Sequence, residues 1–135
     1  MNYMKAQLRD EYLKQSVMTA SPAELVVMLF DACIKNLKLA DILLNEEGRI
    51  GDAGVRLTKA QEILGELIAS LNLEIPLSHQ LLPIYQFLLT AIRDMNLKKD
   101  LTQLPAILSI LESMRETWEQ VARSAVRMNK GVSVG

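Results

Sequence analysis

The chain has 135 residues, half of them hydrophobic, with 15 basic and 16 acidic side chains and a net charge of -1. This length fits one domain with a substantial core. The balanced charge argues against a nucleic-acid-binding protein, which needs a basic face for phosphates. Only 4% of the residues are aromatic. The apolar residues are mostly Leu, Ile, Ala and Met, a composition typical of packed helices rather than of sheet.

The cysteine content and the apolar runs indicate the compartment. Cys33 is the sole cysteine and cannot form an internal disulfide. No N-terminal apolar run resembles a signal peptide, and no uncharged stretch is long enough to cross a bilayer. We therefore expect a cytoplasmic protein in a reducing environment, without membrane insertion.

Residues 1–20 show no regular apolar period and are predicted to form an N-terminal arm, with at most a short helix near residues 5–14. Leu8, Tyr12 and Val17 are apolar residues of this arm whose side chains could cover an apolar groove on the helices. The arm ends where the chain carries its clearest signal for the start of a helix.

That signal is Ser21-Pro22-Ala23-Glu24. Ser21 and Glu24 can form a capping box, and Pro22 takes the first helical position, where its missing N–H costs nothing. The first long helix is therefore predicted to begin here and to run to about Asn45.

Three further helices follow from apolar residues that recur at spacings of three and four. They are predicted at about residues 52–72, at about 79–97, and from 101 or 102 to near 128, with a flexible tail at 129–135. Four helices with short connections predict an all-α, antiparallel up-down four-helix bundle over residues 21–128.

The first helix carries more apolar residues than one core-facing stripe needs. The expected core stripe comprises Leu25, Leu29, Ala32, Cys33, Asn36, Leu37, Ala40 and Leu43. A second stripe comprises Ala23, Val27, Phe30 and Ile34. A helix that is apolar nearly all round has a second partner or is more deeply packed. Three interpretations stay open: the arm covers this stripe, another chain does, or the bundle packs more closely around this helix.

The sequence offers no set of catalytic or metal-binding residues. The only histidine, His79, stands alone at a predicted helix start. Gly48, Gly51 and Gly54 lack the following Gly-Lys-Ser/Thr of a phosphate-binding loop. No inward carboxylate pairs suit a di-iron bundle. We expect no enzyme activity, no cofactor and no metal.

The residues resemble a known family, the flagellin-specific export chaperones of bacteria (FliS-type), over roughly residues 12–120. The matching segments are Tyr12, Gln15-Ser16-Val17-Met18-Thr19-Ala20-Ser21-Pro22-Ala23-Glu24-Leu25, Met28-Leu29-Phe30-Asp31-Ala32-Cys33, Lys59-Ala60-Gln61-Glu62-Ile63-Leu64-Gly65-Glu66-Leu67, Leu71-Asn72, Ile84-Tyr85, Asn96-Leu97-Lys98-Lys99-Asp100, Leu111 and Arg115-Glu116-Thr117-Trp118. The chain departs from the family pattern at Gln86, Phe87, Thr90 and Ala91, where Asp, Tyr and an Arg pair are usual.

The resemblance implies a helical bundle that binds the disordered C-terminal segment of flagellin, blocks premature polymerisation and helps deliver the subunit to a component of the membrane export gate. It also implies that, in the free protein, the arm can cap the apolar surface that the client occupies. Whether the free protein is a monomer or an arm-swapped dimer stays open. The alternatives are a chaperone or co-chaperone for another flagellar export client, or a sequestering partner of a flagellar regulatory protein. The expected partner-binding residues are Tyr12, Val17, Val27, Phe30, Ile34, Ile63, Leu67 and Phe87.

Overall fold

A computed structural model describes the backbone of residues 22–134 and the side chains of residues 22–124. Four helices follow one another along the chain: α1 (Pro22–Leu44), α2 (Ile50–Ala69), α3 (Pro76–Lys98) and α4 (Leu104–Val134). The predicted all-α, antiparallel four-helix bundle is thereby confirmed. The predicted arm and the Ser21 cap lie outside the described residues.

The helices are packed as neighbours in the order α4, α1, α2, α3. α1 packs against both α2 and α4, and α2 also packs against α3. Within the described residues, the backbones of α3 and α4 approach each other at few points. Because α1 has close neighbours on two sides, a wide sector of its surface is buried.

The apolar stripe of α2 shows how the core is built. Ala53, Leu57, Ala60, Leu64 and Leu67 recur every three or four residues, and all five are fully buried. This spacing keeps their side chains on one face of the helix. The remaining core residues are Phe30, Cys33, Ile34, Leu37, Ala40, Tyr85, Leu88, Ile92, Met95, Leu104, Ile107 and Leu111.

The seam between α1 and α4 is flanked by ion pairs. The Arg115 guanidinium pairs with Asp31, and the Lys38 ammonium lies 3.5 Å from a carboxylate oxygen of Glu112. These pairs are solvent-exposed, so each contributes little to the free energy of unfolding. Their main consequence is to align the two helices in register.

One end of the bundle is closed by a polar cluster at the α3–α4 corner. Lys99 adopts a left-handed conformation with φ 51°, and its ammonium donates to the Asn96 carbonyl oxygen over 2.6 Å. The Asn96 amide in turn donates to the Thr58 hydroxyl of α2 over 3.2 Å. This cluster ties the end of α3 to the first half of α2.

Five helix boundaries differ from the sequence prediction by two residues or more. α2 ends at Ala69 rather than near 72, and α4 begins at Leu104 rather than at 101 or 102. α2 begins at Ile50, two residues early, and α3 begins at Pro76 rather than near His79. Pro76 starts α3 because proline suits the first helical position, where no N–H is needed. α4 continues to Val134 and so includes most of the predicted tail.

The buried thiol of Cys33 gives a pH-dependent prediction. Its sulfur lies 3.9 Å from the Ala60 carbonyl oxygen, and burial raises the pKa of the Cys33 thiol to about 12. In the unfolded chain this pKa is about 8.5. The unfolded state therefore loses a proton at alkaline pH that the folded state keeps. We expect the free energy of unfolding to fall above about pH 9, by up to ~1.4 kcal/mol per pH unit from this group.

Urea titrations at pH 8 and pH 10, on the unmodified chain and on Cys33→Ala, measure this effect. Lysine and tyrosine titration is common to both proteins, so the difference between their pH slopes belongs to Cys33. Equal slopes would show that the folded thiol ionises as readily as the unfolded one.

Candidate partner-binding groove

The end of the bundle opposite the polar cluster opens into an apolar groove of about 920 Å³. It lies where α1 begins, where α2 ends and where α3 begins, with one side chain from α4. Its lining residues are Pro22, Ala23, Leu25, Val26, Met28, Leu29, Ala32, Glu66, Ser70, Leu71, Asn72, Ile75, Leu77, Ser78, Leu81, Tyr85 and Trp118. Among the described residues that line the groove, Glu66 is the one carboxylate, so they present an almost uncharged surface.

The first half of α1 forms one wall of the groove. Leu25, Met28, Leu29 and Ala32 are half-buried rather than buried. Further along α1, the corresponding residues are enclosed by the neighbouring helices, as at Leu37. The same apolar stripe therefore serves as core in one half of α1 and as groove wall in the other.

The opposite wall comes from the α2–α3 connection and the first turns of α3. Ile75 and Leu77 each have 51% of their surface exposed. The exposed His79 side chain bonds to the Leu73 carbonyl oxygen over 2.7 Å, which secures this connection. An apolar rim of this kind is the usual sign of an interaction surface.

Two aromatic side chains line the inner part of the groove. Tyr85 is only 1% exposed, and its ring meets that of Phe30 edge-on, with 6.1 Å between the ring centroids. The half-buried Trp118 indole lines the groove beside it. Burial raises the pKa of the Tyr85 hydroxyl. The hydroxyl is therefore neutral at physiological pH.

The predicted partner-binding residues are not brought together by the fold. Phe30 and Leu67 are fully buried and Ile34 is 8% exposed, so these three belong to the core. The expectation of a surface stripe along Val27, Phe30 and Ile34 is thus wrong for Phe30 and Ile34. Asp31 and Lys38 pair with α4, so this side of α1 faces α4 rather than solvent. The bundle itself provides the second partner of α1.

The other predicted residues lie at separate places. Val27 and Ile63 are half-buried, and neither lines the groove. Phe87 is 56% exposed and lines a second cavity of about 410 Å³ between α3 and the α3–α4 connection. Tyr12 and Val17 lie outside the described residues.

Several residues that line the groove were predicted from the sequence to belong to the core. Leu25, Leu29 and Ala32 have the spacing of a core stripe, and that spacing is the same for a groove wall. The signal available in the sequence was the cluster Leu73, Ile75 and Leu77, three apolar residues around a helix start. All three are more than half exposed.

Two kinds of feature are absent from the described residues, a metal-binding cluster and a membrane-spanning helix. In residues 22–134, no three His, Cys, Asp or Glu side chains gather closely enough to hold a metal ion. None of the described helices has an apolar stretch of the length that crosses a membrane.

Comparisons with known proteins agree with one another. Residues 4–125 match the model of a family described as Flagellar protein FliS. The Flagellar secretion chaperone FliS of Bacillus subtilis (strain 168) is 32% identical over 113 residues, 84% of this chain and 84% of that relative. The protein of the same name from Salmonella typhimurium is 29% identical over 116 residues, 84% of this chain and 85% of the relative. The corresponding Escherichia coli (strain K12) protein is 27% identical over 111 residues, 80% of this chain and 81% of the relative.

Proposed function

Because this chain belongs to the FliS family of flagellar secretion chaperones, we propose that its apolar groove binds the C-terminal segment of flagellin before export. The chain is a flagellar export chaperone and not an enzyme. The observation that carries the proposal is the groove itself, about 920 Å³ in volume, with one carboxylate among the described residues that line it. Such a surface suits the apolar face of an amphipathic helix.

The dimensions of the groove support a helical guest. Its α1 wall extends from Pro22 to Ala32, which is about 15 Å at 1.5 Å per residue. That length accommodates nearly three turns of a guest helix. A disordered client segment that becomes helical on docking would satisfy its own backbone hydrogen bonds while its apolar side chains enter the groove.

The energetics favour a guest that also contacts other parts of the bundle. Ordering a disordered segment costs about 2–5 kcal/mol, and each fully covered Leu or Phe contributes about 1.5–3 kcal/mol. A few groove contacts therefore only just exceed the ordering cost. We propose that the client continues from the groove over the half-buried Val27 and Ile63 and the exposed Phe87. Phe30, Ile34 and Leu67 belong to the core and are not part of the proposed client contact.

The N-terminal arm would occupy the same groove when the client is absent. α1 begins at Pro22, and Pro22 lines the groove, so the arm joins the bundle at the groove's edge. Tyr12 and Val17, with Leu8, supply apolar side chains that could fill it. The arm could cover the groove of its own molecule, giving a monomer, or that of a second copy, giving an arm-swapped dimer.

The proposed role takes place in the cytoplasm. A flagellin segment held in the groove is unable to join other subunits, which prevents premature polymerisation. The complex then carries the subunit to a component of the flagellar type III export gate. A flagellar regulatory protein could compete for the same surface and so be sequestered by it.

Calorimetry with three peptides tests the identity of the client. The peptides are the C-terminal segments of flagellin, of a filament-cap subunit and of a hook-associated subunit. We expect the flagellin peptide to bind most tightly and to change the fluorescence of Trp118, the only tryptophan of the chain, because it lines the groove. Tighter binding of another peptide would assign the chain to a different export client.

A further inference from the structure

The outward side of α1 carries a stripe of residues that extends beyond the groove. Six residues recur at spacings of three and four, which is the heptad pattern of a helix that packs against another helix. These residues are called the outer stripe: Leu25, Met28, Ala32, Lys35, Leu39 and Ile42. At 3.6 residues per turn, the outer stripe lies on the side of α1 opposite the core residues Phe30 and Leu37. It is about 26 Å long at 1.5 Å per residue.

The apolar residues of the outer stripe are not used by the core. None of the five belongs to the core of the described residues or packs against it. Leu25, Met28 and Ala32 line the groove. In the other half of α1, Leu39 is half-buried and Ile42 is 56% exposed. The outer stripe therefore continues the apolar surface of the groove along α1, over a length that one guest helix of about 18 residues can cover.

Lys35 is the one charged residue of the outer stripe and lies near its centre. Two other charged side chains of α1 lie within one turn of it, and both are occupied by α4. Asp31 is paired with Arg115, and Lys38 is paired with Glu112. Among the described side chains, no carboxylate pairs with Lys35. Because its side chain is also exposed, the ammonium of Lys35 is available to a partner.

The neighbouring surface of α2 adds a second cation at the same level. The Arg56 guanidinium donates to the side-chain oxygen of Asn36 over 3.3 Å, so this part of α2 lies beside the middle of α1. Lys59 follows Arg56 by one turn, is exposed, and pairs with no carboxylate of the described residues. Glu66, the carboxylate in the groove, lies two turns farther along α2. A guest helix on the outer stripe therefore meets positive charge near its middle.

We propose that the outer stripe binds a heptad-patterned helix of the client, and that Lys35 sets the register of this helix by pairing with one of its carboxylates. The inference rests on the proposed function and specifies the chemistry of the guest. The guest helix has apolar side chains at spacings of three and four, with Asp or Glu at the position that faces Lys35.

This pairing would select one docking position of the guest helix. Apolar side chains alone allow a helix to slide by one turn with little loss of contact, whereas a single lysine among apolar heptad positions fixes the register. A shift by one turn would place the guest carboxylate against apolar side chains, where it loses water and gains no partner. The same cost applies to an amphipathic helix whose acidic residue stands at another position. The outer stripe would thereby distinguish among the amphipathic segments of exported proteins.

A charge-reversal cycle in the whole chain tests this pairing. The chaperone variant is Lys35→Glu. The probe is the flagellin C-terminal peptide, used as such and in variants with each Asp and Glu replaced in turn by Lys. We expect Lys35→Glu to bind the unmodified peptide about tenfold more weakly. One peptide variant should bind the unmodified chain weakly and regain about that factor with Lys35→Glu. Arg93→Glu, the same change of charge at an exposed position of α3, should leave binding unchanged.

An Ile42→Asp variant tests the half of the outer stripe that lies beyond the groove. Ile42 is 56% exposed, so its replacement should leave the fold intact, and thermal unfolding of the variant checks this. The new carboxylate would stand where an apolar guest side chain docks, and we expect about tenfold weaker binding of the flagellin peptide.

Equal binding of the flagellin peptide by the unmodified chain and by either Lys35→Glu or Ile42→Asp would overturn the inference and leave the proposed function standing. Weaker binding by Lys35→Glu that no peptide variant restores would also overturn it, since Lys35 would then not pair with the client. Tighter binding by Lys35→Glu would assign the outer stripe to the arm, which carries Asp10 and Glu11. A dimer in sedimentation that Lys35→Glu dissociates would assign it to a second copy. Absence of binding by the unmodified chain would refute the proposed function, and this inference with it.

Discussion

A Phe30→Asp variant is expected to be largely unfolded under conditions in which the unmodified chain is folded. Phe30 is fully buried and its ring packs against Tyr85. Truncating a buried Phe costs about 3–5 kcal/mol through lost transfer energy and a cavity. A carboxylate at the same place adds the cost of burying an unpaired charge. The sum approaches the whole stability of an ordinary domain, about 5–15 kcal/mol.

Circular dichroism with urea titration measures this effect, and Phe87→Asp is the matched control. Phe87 is 56% exposed, so the same substitution there should change the free energy of unfolding by less than about 1 kcal/mol. A cooperative transition of Phe30→Asp within about 1 kcal/mol of the unmodified chain would contradict the core position of Phe30. The comparison also separates a folding defect from a binding defect.

A Leu25→Asp variant is expected to stay folded and to lose the client. Leu25 is half-buried in the groove wall and is not among the side chains packed against the core. A docked guest helix would cover this side chain, and covering a Leu contributes about 1.5–3 kcal/mol. The carboxylate would also have to lose its water to accommodate the guest. We expect the dissociation constant for the flagellin peptide to rise at least ~30-fold.

Leu97→Asp provides the control for this binding experiment. Leu97 is 76% exposed and lies near the end of α3, remote from the groove. Both variants should unfold within about 1 kcal/mol of the unmodified chain, and calorimetry should show unchanged binding for Leu97→Asp. If Leu25→Asp bound the peptide as tightly as the unmodified chain, the groove would not be the docking site.

The helices and most of the core could be predicted from local chemistry. The stripe of α2 at Leu57, Ala60, Leu64 and Leu67 follows from spacing alone, because one face of a helix must be covered in a bundle. The start of α1 at Pro22 follows from the tolerance of proline at the first helical position. These features depend on residues close in the sequence, so the sequence is sufficient to find them.

The division of α1 between core and groove could not be predicted in this way. Helical periodicity gives the direction in which each side chain points, but it does not give the directions in which neighbouring helices lie. Phe30 and Ile34 are buried, and the Phe30 ring packs against Tyr85 of α3. Leu25 and Leu29 carry the core spacing, yet they reach the end of the bundle where the helices leave a groove. Core and groove wall have the same composition, and only the tertiary arrangement distinguishes them.

The location of the groove at one end of the bundle determines where labels can be attached. Pro22 lines the groove, so a bulky group fused directly ahead of α1 would stand at its mouth. The turn between α1 and α2 lies at the far end, and Glu47 is exposed there. A cysteine introduced at Glu47 could carry a dye or a biosensor tether without obstructing the guest. Since the native thiol of Cys33 is buried and protonated, a maleimide would modify the new cysteine selectively, with no need to remove Cys33 first.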